Sequence, residues 1–98
     1  MMARHSYIIL TKFSPGAFKT AAHFKQASAE LTAKLKSECP GVHWKASYAT
    51  LGQYDVVDIV EADDPADVHR AALLIHAGAH ATTETLMATP WREYLEKI

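Results

Sequence analysis

The residue best placed to do chemistry is Asp58, a carboxylate within the run Tyr54-Asp55-Val56-Val57-Asp58-Ile59-Val60-Glu61-Ala62. Alternation along an extended strand puts it on one face with Tyr54, Val56 and Val60, the more apolar of the two faces. An ionised carboxylate is costly in such surroundings without hydrogen-bond donors, so a donor is expected beside it. If Leu51-Gly52-Gln53 is a hairpin loop, Thr50 pairs with Tyr54 and Ala46 falls opposite Asp58, between Trp44 and Tyr48. The functional reading is a general base or ligand anchor in a cleft between sheet and helices, walled by Trp44, Tyr48 and Tyr54. The plainer reading is an aspartate held by a tyrosine hydroxyl or by water, or one simply near the surface.

His69 and His76 stand seven residues apart and so share one stripe of a helix, where they could face the same cleft. A carboxylate with such histidines suits a divalent metal, yet the spacing reproduces no known ligand motif, and neither a metal nor a cofactor is expected. On the opposite strand face, Asp55, Glu61, His43 and Lys45 interleave with Val57 and Ile59, and Glu61 falls across from His43. Charged pairs among apolar residues there would fix the register of an interface between two copies. Cys39 precedes a proline at a helix end with no histidine or second thiol nearby, so a structural thiol is expected. The four glycines are scattered and form no phosphate-binding loop.

These residues need elements to hold them. Tyr7–Phe13 is β-branched and aromatic and stops at Ser14-Pro15-Gly16, as a strand before a turn does. From about Ala17 to Ser37 the period changes: Ala21, Phe24, Ser28, Leu31 and Leu35 fall on one helical stripe, ended by Cys39-Pro40-Gly41. Val42–Thr50 alternates as a strand, and Tyr54–Ala62 is apolar on both faces, as a central strand is. Asp63-Asp64-Pro65 opens a second helix with buried positions Val68, Ala71, Ala72 and Ile75, ended by Gly78. Ala81–Ala88 is a last, Thr-rich strand, and Pro90 starts a short amphipathic helix through Tyr94 and Leu95.

With 98 residues the chain is one domain. Its net charge of −1 carries no basic run, which argues against nucleic acid and against a polybasic membrane anchor. The longest apolar stretch, Ala71–Ile75, is too short to span a bilayer, and the N-terminus shows no signal-peptide pattern. A single cysteine suits a reducing compartment, so a cytoplasmic location is expected. The order β-α-β-β-α-β describes an α+β, ferredoxin-like arrangement: a four-stranded antiparallel sheet with helices on one face. The other face then needs cover, and a second copy in a homodimer is the simplest.

The run Thr50-Leu51-Gly52-Gln53-Tyr54-Asp55-Val56-Val57-Asp58-Ile59-Val60-Glu61-Ala62 resembles the signature of the GYD-domain family. Tyr7–Phe13 is similar to its first strand, and Thr83-Glu84-Thr85-Leu86-Met87-Ala88 to its last. The resemblance implies a dimeric α+β barrel, two sheets packed face to face. That superfamily also holds cofactor-independent monooxygenases and isomerases. It therefore implies three readings: a homodimer that binds a small organic ligand, an enzyme with Asp58 as base, or a purely structural or regulatory dimer. The chain departs from the family pattern at Asp58, where an apolar residue is usual, and at Ala49, Thr82 and Met87.

Overall fold

The computed structural model describes residues 4–98. Its elements are β1 (His5–Phe13), α1 (Ala21–Glu38), β2 (Val42–Ala49), β3 (Val56–Ala62), α2 (Pro65–Ala79), β4 (Ala81–Ala88) and α3 (Trp91–Glu96). The four strands form one antiparallel sheet in the order β2-β3-β1-β4, the ferredoxin-like arrangement that the element order predicts. The signal-peptide reading at Met1–Ala3 lies outside the described residues. Within them, no helix is long and apolar enough to cross a membrane.

Alternation sorts the sheet into two faces. Tyr7, Ile9, Val60 and Ala62 point to the helices and are buried with Val68, Ala71, Ile75 and Ala79 of α2. Every position expected on the buried stripe of α2 lies there. Ile8, Leu10, Val57 and Ile59 take the other face and stay half-buried in the single chain. One register differs from expectation. His43 pairs with Glu61 as predicted, but a β-bulge between Trp44 and Ala46 inserts Lys45, and beyond it Ser47, not Ala46, stands opposite Asp58. An extra residue in one strand advances every later side chain by one position, which flips the face it occupies.

The helix ends follow side-chain chemistry. Thr20 accepts from the His23 amide to cap α1, and Asp64 accepts from the Ala66 amide to cap α2, with Pro65 in its first turn. Gly78 does not end α2, contrary to the sequence reading; His80 does, in the left-handed region at φ 47°. Gly78 serves instead as a contact point, since a Cβ there would meet Leu31 Cδ1 at 3.1 Å. Thus α1 packs chiefly along α2 rather than on the sheet. Although its apolar stripe forms as predicted, none of its residues is buried.

The start of β3 also departs from the alternation read in sequence. Asp55, expected among the interface charges, turns its carboxylate to the end of β1, where Oδ2 accepts from the Phe13 amide at 2.8 Å; its own amide donates to the Thr11 carbonyl. The strand proper therefore begins at Val56. Removing this cap leaves a part-buried amide unpaired, so Asp55→Ala should lower stability by ~1–2 kcal/mol. Thermal unfolding would show it as a drop of about 4–16 °C, at about 4–8 °C per kcal/mol for a chain this size. An unchanged midpoint would mean that water replaces the carboxylate.

Candidate functional site

Because α1 leans on α2, a space remains between α1 and the β1–β3–β2 part of the sheet. It measures about 650 Å³, within the roughly 300–1,000 Å³ usual for ligand pockets. The roof is the α1 stripe, with Phe24, Ser28, Leu31 and Leu35 spaced to face one way. Phe13 and Phe18 close one end with Phe24. Their ring centroids lie 5.0–5.6 Å apart, all edge to face, an arrangement that the aromatic quadrupoles favour.

Asp58 lies in the floor, 7% exposed. Trp44 Nε1 donates to its Oδ1 at 3.1 Å, and the Ser47 hydroxyl donates to the same oxygen. These two donors supply what an ionised carboxylate requires at such a depth. They engage one oxygen only; among the described residues Oδ2 accepts no hydrogen bond. Close by in the floor, Thr11 is 3% exposed, and its buried hydroxyl has no partner among the described residues. An open carboxylate oxygen thus borders a space with largely apolar walls, and Thr11, its hydroxyl unused, lines the same floor. Chemically, that arrangement can accept a hydrogen bond, hold a cation or take a proton.

Of the predicted wall residues, Trp44 is in place and the others are not. Tyr48 lies beyond the bulge, so it sits on the opposite, open face and is 59% exposed. Tyr54 precedes the strand; its hydroxyl donates to Glu84 Oε1 at 2.6 Å, away from Asp58. That bond to a carboxylate raises the pKa of the Tyr54 phenol above its ordinary value. His69 and His76 share a stripe of α2 as expected, but on the β4 side. His76 Nε2 meets Thr83 Oγ1 at 2.7 Å, and His69 borders a smaller hollow with Tyr7 and Thr85. Neither histidine lines the Asp58 cavity. Among the described residues no three metal-ligating side chains cluster.

The predicted charge set on the open face is partly assembled. Glu61 lies 3.7 Å from Arg4 and 4.0 Å from Lys45, with His43 paired across from it; Val57 and Ile59 follow along the same face. Cys39 is buried, and desolvation pushes its thiol pKa up, which makes it a poor nucleophile. Ser47, Thr11 and the phenylalanine trio escaped the sequence reading. The bulge that delivers Ser47 has no composition signal of its own. The Phe24–Leu35 stripe was legible, but as core rather than as the roof of a cavity.

Comparison with known proteins agrees with this architecture. A family model described as the GYD domain matches residues 7–98. A curated Thermus thermophilus protein, named glutamine synthetase and cystathionine beta-lyase binding protein, is 31% identical over 93 residues, covering 95% of this chain and 97% of that one. Among solved structures, the Mycobacterium tuberculosis leucine response regulatory protein LrpA is similar with a TM-score of 0.58 and 13% identity, over 88% of this chain and 51% of that regulator. A Caulobacter crescentus protein assigned as an antibiotic biosynthesis monooxygenase is similar with a TM-score of 0.52 and 17% identity, over 91% of this chain and 92% of that one. At such identities the structural likenesses establish the fold alone.

Proposed function

The chain belongs to the GYD-domain family, and from that premise we propose that it acts as a cytoplasmic homodimer holding a small organic ligand between α1 and the sheet. The observation that carries this reading is Asp58: a buried carboxylate with one oxygen clamped and the other open to a 650 Å³ cavity. A packed site would have left no such opening. The half-buried face of Ile8, Leu10, Val57 and Ile59 supports the second copy, because one sheet face otherwise stays uncovered.

A fluorescent apolar probe tests the cavity. Titrated with 1-aminoanthracene, the protein should enhance the probe's emission, and Ser28→Trp, which projects a large ring from α1 into the space, should largely abolish it. Unchanged emission with the wild-type protein, together with no shift of the cavity amides by charged indole compounds, would remove the ligand-binding reading.

The Thermus relative is named for binding two enzymes, which favours a second, regulatory reading. Here the dimer docks on metabolic enzymes, with exposed Trp91, Tyr94 and Leu95 of α3 as an apolar contact surface. The open Oδ2 of Asp58 also suits a general base, as a cofactor-independent monooxygenase or isomerase would need. Asp58→Asn keeps the shape and removes the base, so turnover that survives it would exclude that role.

A further inference from the structure

The cavity is polarised along its length. At the end near the start of α1 stand the Phe13, Phe18 and Phe24 rings. Lys36, off the apolar stripe of α1 but near the C-terminal end of that helix, also lines the space. Helical rise separates Phe24 from Lys36 by ~18 Å. Between the ends lie the open Asp58 oxygen and the unpartnered Thr11 hydroxyl. Arg4 and Lys45 also reach the lining, but each lies near Glu61, which offsets part of their charge. Lys36 has no carboxylate partner among the described residues.

A neutral apolar compound would leave Asp58 and Thr11 unsatisfied at depth, at a desolvation cost. A simple amine would satisfy Asp58 but meet the cations at the far end. A simple acid would suit Lys36 and be repelled by Asp58. We infer that the cavity takes a zwitterion with a bulky apolar body, of the α-amino-acid kind: ammonium on Asp58, carboxylate toward Lys36, side chain among the phenylalanine rings. This inference rests on the ligand-binding reading above and names the ligand class for the same site.

Four compounds with one ring system separate the two claims: L-tryptophan, tryptamine, indole-3-propionate and 3-ethylindole, which keep both charges, the ammonium, the carboxylate or neither. Each is titrated into the 15N-labelled full chain, and binding is read from the Thr11 and Asp58 amide shifts. Tryptophan should bind tightest, with tryptamine next. Asp58→Asn should weaken tryptophan and tryptamine about 10-fold or more, the scale of a buried charge-assisted hydrogen bond, while leaving indole-3-propionate no weaker. Lys36→Ala should weaken tryptophan and indole-3-propionate by about 2–5-fold, the scale of an exposed ion pair, and spare tryptamine. Indole-3-propionate binding as tightly as tryptophan, or tryptophan indifferent to Asp58→Asn, overturns the ligand class. If 3-ethylindole still shifts the cavity amides in that case, the ligand-binding reading stands alone. If none of the four shifts them, both fall.

Discussion

Ile59→Lys should convert the proposed dimer into a folded monomer. Ile59 lies on the open sheet face, opposite Ile8 in β1 and Ala46 in β2, near the middle of the surface that a second sheet would cover. In the single chain it is only half-buried, so a lysine can extend its stem along the sheet and keep the ammonium in water. Between two sheets that escape is closed, and two-fold symmetry places the charge in both copies. An uncompensated buried charge costs several kcal/mol, and each ~1.4 kcal/mol is a tenfold loss of affinity. Light scattering should give the mass of one chain at concentrations where the parent has the mass of two, with an unchanged circular dichroism spectrum. A variant that still scatters as a dimer would place the interface elsewhere.

Ile9→Ala should cause the largest loss of stability. Ile9 is 0% exposed in β1 and stands between Asp58 on one neighbouring strand and Thr85 on the other. Its side chain lies between the sheet and α2, where the core is thickest. Truncating a buried isoleucine costs ~2–5 kcal/mol, including the cavity left behind, against a total of ~5–15 kcal/mol for an ordinary domain. Chemical denaturation should show a lower midpoint with an unchanged slope. A loss below ~1 kcal/mol would mean that α2 collapses onto the gap. Because Ile9 neighbours Asp58, the same variant should also loosen the floor of the cavity.

Much of the fold could be read in the sequence, because periodicity and punctuation carry it. The period-2 runs, the helical stripe of α2, the stops at Pro15 and Pro40 and the helix start at Pro90 located every element to within a few residues. Asp58 was legible as a carboxylate on an apolar face that required a donor, and Trp44 was legible beside it. What escaped depends on geometry that has no local signature. The extra residue at Lys45 moved Tyr48 to the far face and brought in Ser47. Asp55 broke alternation by serving the backbone of β1, and that carried Tyr54 away as well. The seven-residue spacing of His69 and His76 correctly gave a shared stripe, but not the side of α2 on which it lies. The cavity itself follows from how α1 rests at Gly78, a tertiary contact that the sequence showed only as a helix-ending glycine.

The bulge in β2 has an evolutionary corollary. Trp44 and Ser47 differ by three positions, an odd number, so a regular strand would send them to opposite sides. Only the one-residue phase slip between them lets a single strand grip one oxygen with both an indole and a hydroxyl. Insertion and acid are therefore interlocked. A lineage that deletes the extra residue strands the carboxylate without its second donor, and one that carries an apolar residue at position 58 has no need of the slip; the two changes should be inherited together.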